Sequence, residues 1–200
     1  MLGQLSPHPS FPADRVYRKQ RQGFWRSLFI ALLLAAMLVA AYFYGVWTDR
    51  RQPVPVPVTG LKIYVVDGDS FVVGTRKLRL DGIDAPELKQ TCKVGQNVEW
   101  PCGRTSRAAL EQLLLDPGLT CMAEAQDRYA RSVATCRTTS TQDIGAAQVS
   151  NGMAVTHEFN GMRDYGGEED EARTRKRGIW RGAFDRPEEW RTEYPRSSVL

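Results

Sequence analysis

One long apolar block dominates the hydrophobic pattern. Leu28 to Val46 reads LFIALLLAAMLVAAYFYGV, and no charge falls between Ser27 and Trp47. As a helix, such a block crosses a hydrocarbon core of about 30 Å and satisfies its own backbone hydrogen bonds. After residue 60 the apolar runs shorten. Leu61 to Val73 has strand character, LKIYVV and SFVV, around a turn at Asp67-Gly68-Asp69. Arg76 to Leu80 alternates, with Leu78 and Leu80 on one face and Lys77 and Arg79 on the other. Gly103 to Leu115 carries Ala109, Leu110, Leu113 and Leu114 at helical spacing, and Pro117-Gly118 ends it. Leu119–Ala125 and Arg131–Arg137 predict a hairpin around Asp127-Arg128-Tyr129. Ile144–Met153 predicts a helix, and Glu168–Arg177 a charged helix closed by Gly178 with a solvated face. The order strands, helix, strands, helix, helix predicts an α+β domain, a small barrel with helices outside.

The flanks of the apolar block give it an orientation. Arg15, Arg18, Lys19, Arg21 and Arg26 precede it, and only Arg50 and Arg51 closely follow, beside Asp49. The positive-inside rule places residues 1–26 in the cytoplasm and 27–47 across the inner membrane as a single-pass signal anchor. Everything after it is exported, to the periplasm or the exterior. Trp25, Tyr42, Tyr44 and Trp47 sit near the ends, where aromatic rings favour the interface. A cleaved signal peptide is the competing reading; Leu38-Val39-Ala40 is a poor small-x-small cleavage site, which favours retention. Residues 48–60 contain QPVPVPVT and predict an extended polyproline spacer ahead of a domain at 61–195.

A net charge of +4 and a pI near 9.0 suggest nucleic-acid binding until the chain is divided. Seven basic and two acidic residues precede residue 60, so twenty basic residues face twenty-one acidic ones thereafter. Any nucleic acid must therefore be held by a local site in the domain. All four cysteines, Cys92, Cys102, Cys121 and Cys136, follow the apolar block, and an even count in an exported domain predicts two disulfides. Of three possible connectivities, the spacing favours Cys92–Cys102 and Cys121–Cys136. The chain has no C-x-x-C pair and only His8 and His157, which argues against a zinc site.

The candidate chemistry is carboxylates and arginines. Asp67 and Asp69 lie on one tight turn, and Asp84 and Glu87 on another. Should the turns meet, the crowded like charges require a cation, and all-oxygen ligands select calcium or magnesium. Arg79 leads into the second turn and Arg131 follows the hairpin; two guanidiniums facing a cation can clamp a phosphodiester. Alone, each of these residues is more often a turn, cap or surface-pair residue.

Together, Asp67-Gly68-Asp69-Ser70, Arg79 to Glu87 (RLDGIDAPE) and Asp127-Arg128-Tyr129-Ala130-Arg131 resemble the thermonuclease, or staphylococcal nuclease-like, family. Asn151-Gly152-Met153-Ala154, Glu171-Ala172-Arg173 and Gly178-Ile179-Trp180 follow in the family's order, so that the resemblance covers about residues 61–190. It implies a five-stranded OB-type barrel with three helices and a nuclease acting on DNA or RNA. It implies Asp69 and Asp84 as calcium ligands, with the Ala85 carbonyl as a third and Asp67 close by. Glu87 would orient or deprotonate the attacking water, and Arg79 and Arg131 would bind the phosphate and stabilise the transition state. Tyr129, with Arg128 beside it, would line the substrate site. The implied reaction is in-line attack of water on phosphorus with the sugar 5′-oxygen leaving. Ser70 and Ala130 replace the commoner Thr and Gly, and Ala130 could reshape the turn that aims Arg131. Where a pair of tyrosines follows the G-x-A segment in the family, this chain reads Thr156-His157-Glu158-Phe159, and packing is the safer role for that stretch. A catalytically silent OB-type binding module and a phosphodiesterase acting on an envelope polymer are the rival functions. No heptads or repeats point beyond a monomer.

Overall fold

The computed structural model of the chain describes residues 13–49, 53–95, 98–157 and 164–195. It forms two compact units, Met1–Arg51 and Gln52–Leu200. The first is a single helix, α1 (Ala13–Asp49). Within it Phe24–Gly45 has a mean hydropathy of 2.3, and its side chains are exposed. It is long and apolar enough to cross a membrane.

The second unit is α+β. Its main sheet contains β1 (Val54–Val56), β2 (Ile63–Val65), β3 (Ser70–Val73), β4 (Arg76–Leu80), β8 (Thr120–Gln126) and β9 (Ser132–Arg137), in the order β1-β8-β9-β4-β3-β2. All pairings are antiparallel except β4 with β9. Two small ribbons complete the strands: β5 (Ile83–Asp84) with β10 (Val155–Thr156), and β6 (Cys92–Val94) with β7 (Val98–Trp100). The helices are α2 (Cys102–Leu115), α3 (Ile144–Ser150), α4 (Gly166–Thr174) and α5 (Pro187–Glu193), with a 3₁₀ turn at Gly178–Arg181.

Two expectations are corrected. The sheet has six strands and is not closed into the five-stranded barrel, and four helices, not three, accompany it among the described residues. The reason lies in β1. The segment expected as a free spacer lays Val54–Val56 along β8, in register with Ala123 to Cys121. With β9 on its other edge, β8 has no edge left for β2. Proline lacks the N–H that an inner strand must donate, so Pro55 fits only such an outer strand. The second correction concerns α4. Its face was expected to be solvated, yet Glu169 is buried, accepts the Thr156 N–H at 2.6 Å and pairs with Arg173 at 2.9 Å.

The core joins Phe71, Leu78 and Leu80 of the sheet and Ile83 of β5 to Leu110 of α2 and Ile144 and Val149 of α3. Burying each aliphatic side chain contributes about 1.5–3 kcal/mol. Both disulfides form with the favoured pairing: Cys92–Cys102 ties the β6–β7 ribbon to α2, and Cys121–Cys136 staples β8 to β9. Trp180 packs edge-on against Phe184. Glu158 and Phe159 lie outside the described residues.

Candidate active site

The two acidic turns meet. The turn between β2 and β3 closes with the Val66 and Asp67 N–H groups on the Ser70 carbonyl, and the Asp69 N–H donates to Asp67 Oδ1 at 3.2 Å. A side chain at Gly68 would collide with Ser106 Oγ of α2 and stand 2.7 Å from the Ala85 Cβ. Glycine is what allows the first turn to nest on the second. Across this contact the Ala85 N–H donates to Asp69 Oδ2 at 3.1 Å. Asp67, Asp69, Asp84 and Glu87 are all buried.

Arg79 spans the two turns. Its Nη1 lies 3.0 Å from Asp69 Oδ2, and its Nη2 lies 3.0 Å from both Asp84 Oδ1 and the Ile83 carbonyl. The alternation expected for β4 places it correctly: Leu78 and Leu80 enter the core while Arg79, only partly buried, faces the turns. Arg131 joins through a relay. Its Nη1 donates to Ser70 Oγ at 3.1 Å, and Ser70 Oγ donates to Asp69 Oδ1 at 2.6 Å. Asp127 aims it, accepting from Arg131 Nε at 2.7 Å and from its backbone N–H at 2.9 Å. Burial opposes ionisation of Asp127, but these bonds and the Tyr129 N–H more than offset it and hold the carboxyl below its usual range. Ala130 adopts the left-handed φ of 58° that the tip of this turn requires. Tyr129 is 67% exposed, with the guanidiniums of Arg128 and Arg131 each 5.6 Å from its ring centre.

Glu87 is set by a backbone clasp. Its N–H donates to Gln90 Oε1 at 3.1 Å and its carbonyl accepts the Gln90 N–H at 2.7 Å. Gln90 in turn accepts the Gly103 N–H at 3.2 Å, and the Cys92–Cys102 disulfide stands beside it. The Glu87 carbonyl occupies the space that a Gly103 side chain would fill, so α2 approaches the loop only because residue 103 is glycine.

Sequence reasoning missed one residue. Arg191 of α5 donates to Asp84 at 3.0 and 2.8 Å and to Glu87 Oε1 at 3.2 Å. The helix start was readable: Pro187 stands in the first turn, and Glu189 reaches back to the Arg186 N–H at 3.1 Å. Nothing local told that its arginine meets carboxylates 104 and 107 positions earlier.

Charge decides what else the site can hold. Four buried carboxylates face two guanidiniums, Arg79 and Arg191. Burial and then the neighbouring Asp69 push Asp67 up to about 8. Asp69 moves the other way: burial opposes ionisation, but Arg79 and the hydrogen bonds from Ser70 and Ala85 prevail and lower it. The donor set is all oxygen and short of positive charge, which fits a hard divalent cation. Among the described residues no three acidic, histidine or cysteine side chains converge as a ready cage, because the carboxylates turn to the arginines.

The chain is similar to several known proteins. A family model described as "Staphylococcal nuclease homologue" matches residues 77–182. The "Succinoglycan biosynthesis protein ExoI" of Rhizobium meliloti is 30% identical over 126 residues, covering 62% of this chain and 65% of that protein. The "Probable endonuclease LCL3" of Verticillium alfalfae is 30% identical over 58% of this chain and 43% of its own length. The protein of the same name from Paracoccidioides brasiliensis (strain Pb03) is 31% identical over 54% and 35%. The chain thus spans less than two thirds of each of these relatives.

Proposed function

Since the chain belongs to the staphylococcal nuclease homologue family, we propose that it is a membrane-anchored, exported, calcium-dependent nuclease hydrolysing phosphodiester bonds of DNA and RNA. The observation that carries the reading is the Arg79 guanidinium bridging Asp69 and Asp84, with Glu87 linked to Asp84 through Arg191 and Arg131 linked to Asp69 through Ser70. Asp69, Asp84 and the Ala85 carbonyl would hold calcium, with Asp67 near it. The ion, when bound, supplies neutralisation of phosphate charge.

The rest falls to side chains of the chain itself. Arg79 and Arg131 bind the phosphate oxygens and stabilise the charge that grows there as water attacks. Glu87 orients that water and takes its proton, and the sugar 5′-oxygen leaves. Tyr129 and Arg128, exposed at the hairpin tip, offer a face and a charge to the nucleotide. Holding reactants in line contributes much of the acceleration in such a site. The two disulfides suit an oxidising compartment, and α1 suits a single-pass anchor with its N-terminus in the cytoplasm.

Cleavage of single-stranded DNA and RNA by the purified protein, with calcium, magnesium or chelator, tests the reading. Calcium-dependent cleavage is expected. A folded, calcium-loaded protein that cuts neither would overturn it in favour of a binding module. The Rhizobium relative is named for a biosynthetic role. A phosphodiester in an envelope polymer is therefore the second reading, tested by whether DNA competes with that polymer.

A further inference from the structure

Arg191 occupies both oxygens of Asp84 and one oxygen of Glu87. These are the groups a cation and an attacking water need. The side chain is not trapped there: it remains 34% exposed, against 2% for Asp84 and 10% for Glu87. It hangs from a short terminal helix. The helix is anchored by a few polar contacts: Gln90 Nε2 to the Asp185 carbonyl at 2.7 Å, Arg186 Nη2 to the Thr156 carbonyl at 3.4 Å, and Arg186 to Glu169 at 3.8 Å. Pro187 is its buried residue. Segments with few apolar contacts open at low cost. A guanidinium and a divalent cation cannot both take the two Asp84 oxygens.

We propose that α5 is a cation-sensitive latch: Arg191 and a divalent cation compete for the oxygens of Asp84 and Glu87, and cation binding displaces Arg191 and loosens the helix. Cation binding and the Arg191 contacts then oppose one another, so each weakens the other by the same factor. Gln90 makes the coupling local. Its amide holds the Glu87 N–H through one atom and the chain leading into α5 through the other. Release of Arg191 removes its bond to Glu87 Oε1 while Gln90 keeps the Glu87 backbone in place. The inference rests on the cation reading of Asp84 given above.

The test uses the full chain in detergent micelles, with calcium alone as the probe. Hydrogen exchange over residues 185–195 is followed with calcium and with chelator, and calcium affinity is measured by calorimetry for wild type and Arg191→Gln. Calcium is expected to speed exchange in α5 of the wild type. Arg191→Gln is expected to exchange fast without calcium and to bind it about tenfold more tightly, the change that 1.4 kcal/mol makes. Unchanged α5 exchange on calcium binding, or equal affinities in the two proteins, overturns the latch. If the wild type still cleaves DNA in that case, the nuclease reading stands without it. Failure of both proteins to bind calcium overturns the latch together with the cation site, and failure of Arg191→Gln alone overturns the latch. The wild-type exchange experiment stands alone should Arg191→Gln not fold.

Discussion

Gly103 stands in the first turn of α2 against the Glu87 carbonyl. In Gly103→Ala the added methyl would overlap that oxygen and stand 2.7 Å from the Glu87 carbonyl carbon and 3.0 Å from that of Leu88. Carbon atoms pack at about 3.5 Å or more, so the Glu87 carbonyl carbon alone demands a movement of roughly 0.8 Å, and the overlapped oxygen demands more. Neither side is loose: the loop is clasped by Gln90 at both ends of Glu87, and α2 is held by Cys102. The strain is expected to cost about 1–3 kcal/mol of stability, typical of overpacking. Part of the movement reaches Glu87. Misplacing a catalytic group by about 1 Å costs on the order of a hundredfold in rate. The assay is the initial rate of single-stranded DNA cleavage at saturating calcium, beside a thermal melt. Gly167→Ala is the control, since its methyl meets nothing within 4 Å. A stably folded Gly103→Ala protein with wild-type cleavage would refute the claim that this contact sets Glu87.

Ala130→Gly is expected to stabilise the protein by up to about 1 kcal/mol. It relieves a left-handed alanine at the tip of the β8–β9 turn and gives back part of the gain as unfolded-chain entropy; urea melts check it. Asp67 is raised by burial and by Asp69, so its contribution to stability is present at acid pH and lost as pH rises through about 8. In chelator, Asp67→Asn is therefore expected to melt above wild type at pH 9 and close to it at pH 5. A constant gap across that range would contradict the assignment. Replacing Cys121 and Cys136 by Ser opens a loop of 15 residues. About 3 kcal/mol of stability should be lost, read as a lower melting temperature equal to that of the reduced wild type at this bridge.

The elements nearest the site were the most legible in sequence. Alternation placed Arg79 off the core face of β4, and the two acidic turns carried their own punctuation, Gly68 in the first and Pro86 in the second. Spacing also marked α2 and the β8–β9 hairpin, within a residue or two of their observed ends. Illegible were the features set by distant partners. The Pro-rich segment reads as a spacer because polyproline and an outer strand share the same extended backbone; only the free edge of β8 decides between them. Glu169 reads as a solvated charge because nothing in its own helix reveals the Thr156 N–H that buries it. Arg191 is the same case at the site itself, with a clear helix start and an unreadable target.

The most direct measurement is single-turnover cleavage of a short DNA by Glu87→Gln beside its affinity for the same DNA, both with calcium. Glutamine keeps the size of the side chain and removes the base. The expected result is unchanged affinity with the rate reduced at least about a hundredfold, within the range for loss of a general base. Undiminished cleavage by the variant would contradict the assignment of the carboxylate–arginine site as the catalytic centre.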